Sequence, residues 1–408
     1  MIGIPVWGEA PRQPEVSLPL HADIVVVGGG ITGVSLAYWL GRGGADVLLL
    51  ERSRLAAGAS GRNAGFVLAG VASNYAEAVD KYGRSVAAEI WSFTLENHDR
   101  LGEALAGRAG HKRAGSWTLA ASAEEAAALQ RSAALLAEDR LPGAWRPNGG
   151  RLGGLLNAVD GELQPVEAVA AIASMATSTI ADGVEVTGIE PGASGVRVDT
   201  TAGELAAGAV VLATNGYMRQ LYPGIPIDPV RGQMLATEAG ADPVAGRPVY
   251  TDSGFVYWRQ LADRRVLVGG FRHRALADEV GYDDTPTAAV QAHLDAQLAG
   301  LDVAAAVSHR WAGIMGFTPD SLPLVGPVPG APGVYISGGY SGHGMGFAFN
   351  CARLLAGSML SSDEVPGWLS PARPGAMRRP LRPLAEPGTP GALRPAGSRS
   401  RPAPGRRG

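Results

Sequence analysis

The chain is almost without lysine and has a single cysteine. Among its 408 residues only Lys81 and Lys112 are lysines, so positive charge from Arg113 onward rests on arginine. No lysine after that point is available as a base, a Schiff-base former or an oxygen-activating cation. The lone Cys351 excludes an intrachain disulfide and a cysteine-cluster metal site. No stretch approaches the roughly 20 uninterrupted apolar residues of a transmembrane helix. The first residues show no basic segment followed by an apolar one, so no leader and no membrane partner are expected and the predicted location is cytoplasmic. A formal net charge of −3 leaves no positive excess to drive phosphate contacts, so no nucleic-acid partner is expected. Apolar content of 46% with 18% charged residues describes an ordinary globular protein, and 408 residues are long for one core, so two domains are expected.

What the chain does have is concentrated in Asp23–Glu51. Ile24-Val25-Val26-Val27 reads as a buried parallel strand. Gly28-Gly29-Gly30-Ile31-Thr32-Gly33 fits G-x-G-x-x-G, Val34 to Leu40 continues as a helix, and Ala45 to Leu50 is a second strand ending at Glu51. Each part has a physical task. Gly28 permits the tight turn, and Gly30 lets backbone approach a pyrophosphate at a helix N-terminus. Gly33 lets helix and strand pack closely, and Glu51 can accept hydrogen bonds from ribose hydroxyls. With 58 glycines in the chain an isolated match would mean little, but strand, turn, helix, strand and acid all occur here in order. The fingerprint predicts a dinucleotide and does not by itself separate NAD from FAD.

Beyond it lies the small-residue loop Ala56-Ala57-Gly58-Ala59-Ser60-Gly61-Arg62-Asn63-Ala64-Gly65-Phe66. Residues 75–106 and 122–140 read as helical. Val184–Ile189, Val196–Thr200 and Ala209–Ala213 read as strands, the last ending in Thr214-Asn215-Gly216. From Pro229 to Phe271 strand-like runs alternate with turns, and 286–300 is a helix. Gly333–Ser337 is a final strand, which enters Gly338-Gly339-Tyr340-Ser341-Gly342-His343-Gly344-Met345-Gly346 and the apolar helix Phe347–Leu360. From Pro366 onward proline, arginine and glycine dominate, and residues 366–408 read as a disordered tail.

These motifs, in this order, resemble one family: the FAD-dependent D-amino-acid oxidase, glycine oxidase and sarcosine oxidase superfamily. Within it the chain looks most like the gamma-glutamylputrescine oxidoreductase-like branch, through Pro5-Val6-Trp7 and the R-N-x-G-F loop. The resemblance covers about residues 5–360. It implies an α/β fold: a Rossmann-type FAD-binding domain with a second α+β substrate domain built on an antiparallel sheet. Residues 1–70, 151–220 and 310–365 would form the first domain, and 71–150 and 221–309 the second. It also implies the cofactor contacts. Gly28, Gly30, Ile31, Thr32 and Gly33 would serve the pyrophosphate turn, Glu51 and Arg52 the adenosine ribose, and Val186 the adenine. Ser60, Arg62, Asn63 and Gly65 would line the pyrophosphate and ribityl side, with Ala213 and Thr214 nearby. Gly339, Gly342, His343, Gly344 and Met345 would lie against the flavin. No cysteine stands in Gly313–Phe317 before Thr318-Pro319-Asp320, so noncovalent FAD is expected.

The chemistry implied is oxidation of a C–N bond in a small amine or amino acid. Hydride passes to flavin N5, the imine is hydrolysed, and O2 or another acceptor takes the electrons. Candidate catalytic or substrate groups are His343, Arg231, Tyr257 and Arg259, the last two sharing one face of an alternating strand. Arg272, His273 and Arg274 read as a solvated basic loop. Two other functions stay open: an NAD(P)H-dependent flavin monooxygenase, for which no second G-x-G-x-x-G is found, and a non-catalytic or electron-transfer flavoprotein subunit.

Overall fold

His21–Val27 becomes the middle of a sheet because its residues are apolar toward both faces: Val25 and Val26 are fully enclosed. The computed structural model describes residues 1–148, 151–244 and 246–376. In it, His21–Val27 pairs in parallel with Val47–Glu51 on one side and Gly203–Leu212 on the other. Thr179–Asp182 extends the sheet beyond Val47–Glu51, and Val334–Gly338 beyond Gly203–Leu212, both in parallel. Leu324–Pro327 closes one edge antiparallel, while Gly195–Thr200 and Val186–Gly192 branch off as an antiparallel ribbon.

A second sheet of eight strands is antiparallel apart from one parallel pair, Val249–Thr251 with Ser116–Leu119. Its longest pairing joins Asp228–Thr237 to Val307–Phe317. The expected α/β fold with a second, antiparallel sheet holds. Sheet membership moves two of the expected boundaries, however. Arg151–Asn157 and Val307–Phe317 hydrogen-bond into the second sheet rather than the first.

Helices complete the layers. Ile31–Arg42 packs on Gly344–Leu360, with the rings of Tyr38 and Trp39 5.7 and 5.3 Å from that of Phe349. The helical region expected over 75–106 is two helices, Tyr75–Tyr82 and Arg84–Leu105, divided at Gly83, whose φ of 83° no helix accommodates. The first residues of the expected tail are docked: Trp368 and Leu369 are buried, and Arg373 forks onto Asp320 at 2.8 and 2.9 Å. The rest of the expected tail, from residue 377, lies outside the described residues. Among the described residues no helix is long and apolar enough to cross a membrane.

Gly33 shows how tightly the fingerprint is built. A Cβ there would stand 1.8 Å from the Gly28 carbonyl oxygen, backbone that cannot yield. Gly33→Ala is therefore expected to cost about 3 kcal/mol or more through overpacking, measured as a fall in the urea midpoint of the apoprotein. A loss below 0.5 kcal/mol would show that the turn can shift.

Candidate active site and cofactor cradle

The carboxyl ends of the central parallel strands open into a cavity of about 720 Å³, whose opposite wall comes from the second sheet. This is where an open α/β sheet binds ligands. At one end the chain turns sharply at Gly28, with φ of 110°, and the helix Ile31–Arg42 begins. Glu51 braces this turn: its carboxylate accepts the Gly29 N–H at 2.7 Å and the Ser53 N–H at 2.8 Å. Burial pushes the Glu51 carboxyl upward, and those two amides and Arg52 oppose it. Ser60 Oγ accepts the Ile31 N–H at 2.9 Å, which ties the small-residue loop to the helix start. Val184 to Thr187 complete this end.

At the other end Phe66, Tyr250, Tyr257 and His343 form one aromatic group. Tyr250 lies 5.5 Å from Tyr257, and His343 stacks on Tyr250 at 6.2 Å with planes 15° apart. Tyr257 can lie flat against the strand beside it because Gly269 leaves the space; a Cβ there would meet its ring at 2.2 Å. Burial pushes the Tyr257 phenol up to about 12 and the Tyr250 phenol higher still, so both keep their protons. His343 is pushed down to about 4 by burial and is neutral at physiological pH; its Nδ1 is enclosed without a hydrogen-bond partner.

The cavity brings together Gly28, Gly30, Ile31, Thr32, Glu51, Arg52, Ser60, Arg62, Asn63, Val186, Ala213, Thr214, Tyr257, Gly342, His343, Gly344 and Met345. Gly33, Gly65 and Gly339 stand behind its wall as packing residues. Gly65 has φ of 74° and Gly339 has φ of 77°, and a Cβ on Gly65 would meet the Leu163 carbonyl oxygen at 2.2 Å.

Two expected substrate groups are corrected. Arg231 is buried and turned from the cavity: it grips both carboxylate oxygens of Glu279, at 2.9 and 3.1 Å, and the carbonyls of Asp278, Asp283 and Thr285. Arg259 is buried beside Glu162, 3.2 Å away, and donates to the carbonyls of Ala64, Gly65 and Leu163. Both are fold residues, because a buried guanidinium needs its full set of acceptors. Arg62 does line the cavity, but it too is engaged. Its guanidinium donates to the carbonyls of Ala57 and Ala312 at 3.0 and 2.8 Å and faces Asp284 at 3.4 Å.

The residue that sequence reasoning missed is Arg272. It is no solvated loop residue: its guanidinium lies 4.6 Å from the Phe255 ring and 4.7 Å from the Phe317 ring, on the cavity wall. Burial lowers its proton affinity, and the nearby phenols of Tyr257 and Tyr250 act the other way. Among the described residues no carboxylate pairs with it. The local signal was its place directly after Gly270 and Phe271, whose φ values of 121° and 62° reverse the strand end. The two rings that hold it are remote in sequence.

The cradle suits FAD. Ser60 Oγ takes the Ile31 N–H, but neither Ile31–Arg42 nor Gly344–Leu360 is capped by the side chain of its own N-cap residue, and the other first amides have no acceptor within their helices. Thr214 Oγ and His343 Nδ1 are enclosed without partners. Backbone amides, the acid Glu51 and an aromatic group thus line a single cavity, which fits a dinucleotide with an aromatic head.

The architecture defines a flavin-dependent oxidoreductase with a two-sheet layout. The chain belongs to the FAD dependent oxidoreductase (DAO) family, whose pattern matches residues 23–358. It is 29% identical over 400 residues to a probable oxidoreductase, OrdL, of Rhizobium meliloti, covering 91% of each chain. It is 27% identical over 375 residues to gamma-glutamylputrescine oxidoreductase of Escherichia coli, covering 83% of each. Its fold superposes on glycine oxidase from Geobacillus kaustophilus with a TM-score of 0.71 at 22% identity, covering 85% of this chain and 96% of that one. FAD is its cofactor, and it is an enzyme of the amine and amino-acid oxidase or dehydrogenase kind.

His343 makes pH part of the stability of the apoprotein. Its folded pKa of about 4 lies below its ordinary 6.5, so between those values the unfolded chain binds the extra proton and stability falls on acidification. Between pH 7 and pH 5 this loss is on the order of 1–2 kcal/mol. His343→Gln should lose that much less than the parent over the same interval in urea titrations. The comparison isolates His343 from Asp160, whose carboxyl burial pushes the opposite way, up to about 7. Parallel pH profiles for the two proteins would refute the assignment.

Proposed function

We propose that the protein oxidises a C–N bond of an amine that carries an anionic group, such as a carboxylate. The observation that carries this reading is Arg272, a half-buried cation held between two aromatic rings on the cavity wall with no carboxylate partner among the described residues. A guanidinium so placed gains most from a carboxylate it can bind in a fork. FAD, when bound, supplies the two-electron acceptor for the α-hydride, and the resulting imine is hydrolysed to a carbonyl compound and a released amine.

The protein's own groups orient and exclude. Tyr250 and Tyr257 keep their protons and offer hydroxyl donors, and the aromatic group with Phe66 keeps water from the reacting end. No ionised acid at the cavity is free to act as a base. Glu51 is bound by amides, Glu185 lies 3.9 Å from Arg52, and Asp284 lies 3.4 Å from Arg62. His343 is too weak a base to hold a proton near pH 7. The amine therefore enters neutral, and kcat/KM should rise with pH through the substrate's own ionisation rather than that of an enzyme base. The reading includes O2 or another small acceptor as the electron sink and a cytoplasmic location.

An anaerobic panel tests it: simple amines, amino acids and ω-amino acids, each scored by loss of the flavin absorbance, then readmission of air. Bleaching by carboxylate-bearing amines is expected. Arg272→Ala should raise KM for them about tenfold or more, corresponding to about 1.4 kcal/mol, with kcat less affected. Bleaching by NADPH instead would favour the monooxygenase reading, and no response to any amine would favour a non-catalytic subunit.

A further inference from the structure

Between Gly270 and Thr287 the chain leaves the second sheet with one short turn, Arg272–Arg274, as its only helical element, and touches the cavity wall at Arg272 and Asp284. Its far part, Asp278–Thr285, lies along Asp228–Thr237 on the side where Pro229 to Gly232 have no sheet partner. Arg231 N–H donates to the Glu279 carbonyl at 2.7 Å, and Gly281 N–H to the Pro229 carbonyl at 3.0 Å. The Arg231 guanidinium then gathers the segment from inside, binding the Glu279 carboxylate and the carbonyls of Asp278, Asp283 and Thr285. This stem is dry: the Arg231 and Glu279 side chains are 6% and 0% exposed.

The tip is different. Tyr282 stacks on Tyr217 at 5.8 Å with planes 23° apart, and Tyr217 in turn receives the Arg52 guanidinium at 4.5 Å. Asp284 meets Arg62 at 3.4 Å, with side chains 47% and 21% exposed. Tyr217, Arg52, Asp284 and Arg62 all line the cavity. The strap thus has a rigid, buried stem and two solvent-touching contacts that join it to the strand ends and loop of the cofactor cradle. An exposed ion pair and a single stack are each weak. Together they cost little to break, and they are preorganised by the stem.

We propose that residues Asp278–Thr285 form a preformed clamp that sets how long FAD stays bound, with Tyr282 and Asp284 as its closing contacts and Arg231 as the positioning residue that fixes its shape. This rests on FAD occupying the cavity, not on which amine is oxidised. The clamp acts on the rate at which the cofactor leaves and leaves the chemistry at the Tyr257 end untouched.

The test follows release of FAD from purified holoenzyme after dilution, by the rise of free-flavin fluorescence. Asp284→Ala and Tyr282→Ala should each accelerate release several-fold, and together about tenfold. Tyr282→Phe, which keeps the ring, should release at the parental rate. Thermal unfolding of the apoproteins should be unchanged, and with FAD in excess, dithionite should reduce the flavin completely in every variant. Trypsin supplies an independent measurement: cleavage after the exposed Arg274 should be slower in holoenzyme than in apoprotein. Arg231 is kept intact, because removing one member of a buried pair strands the other's charge. Unchanged release in the double variant would overturn the proposal. So would faster release accompanied by an equally lowered melting temperature of the apoprotein, which would mark Tyr282 and Asp284 as general packing residues.

Discussion

Two helices start at one cavity, and neither start is closed by the side chain of its own N-cap residue. Three helix starts carry a side-chain cap, Asn74 accepting from Glu77, Ser122 from Glu125 and Gln164 from Glu167. The starts at Gly30 and His343 do not, nor do those at Gly83, Tyr217 and Thr287; what matters for the first two is that both open into the cavity. Free amides at a helix start carry partial positive charge and need an acceptor. Much of the surrounding architecture holds these two starts in place. Glu51 braces the first turn, Ser60 ties the small-residue loop to it, and Thr32 donates to the Tyr340 hydroxyl at 3.0 Å, linking one start to the turn that precedes the other. A ligand with negative charge at one end and an electron-accepting ring at the other satisfies both. The partial positive charge at the second start would favour negative charge on whatever part of the bound cofactor meets it.

The charged groups divide cleanly by what surrounds them. Arg231 and Arg259 are enclosed with carboxylates, Glu279 and Glu162, and with several carbonyls each. They hold a strap and a loop in place, and their charge is neutralised where it stands. Arg272 is half-buried between rings and has no carboxylate partner among the described residues, so its charge is available to whatever enters the cavity. Residue type alone did not separate these roles, since all three are arginines on or beside strands of one sheet. The separation comes from partners distant in sequence: Glu279, Glu162, Phe255 and Phe317.

That distance is also why parts of the molecule were legible from sequence and others were not. The strand, turn, helix, strand and acid of the first sheet lie within about 30 residues, so their spacing is the structure. The His343 turn was readable for the same reason, as a glycine-rich segment between a strand and an apolar helix. The sheet partners of Arg151–Asn157 and Val307–Phe317 were not, because strand pairing depends on remote segments and carries no local mark. The alternation at Tyr257 and Arg259 correctly put both on one face, yet a strand face changes surroundings along its length. Tyr257 meets the cavity, while two residues on Arg259 meets Glu162 and the back of the Gly65 loop.

The aromatic end of the cavity is defined as much by protonation as by shape. Burial acts on every titratable group there in the same sense, toward the neutral form: phenols keep protons and His343 loses one. Arg272 alone resists, because a guanidinium does not lose its proton in a protein. The result is a neutral aromatic enclosure with one fixed positive charge. On the proposed reading, a substrate ammonium would face that charge with no carboxylate to shield it, whereas a neutral amine with an anionic arm would meet favourable partners at both ends. The field that repels the protonated amine would then select the form whose nitrogen lone pair can assist departure of the α-hydride, so that binding specificity and readiness for oxidation would follow from one arrangement of charge.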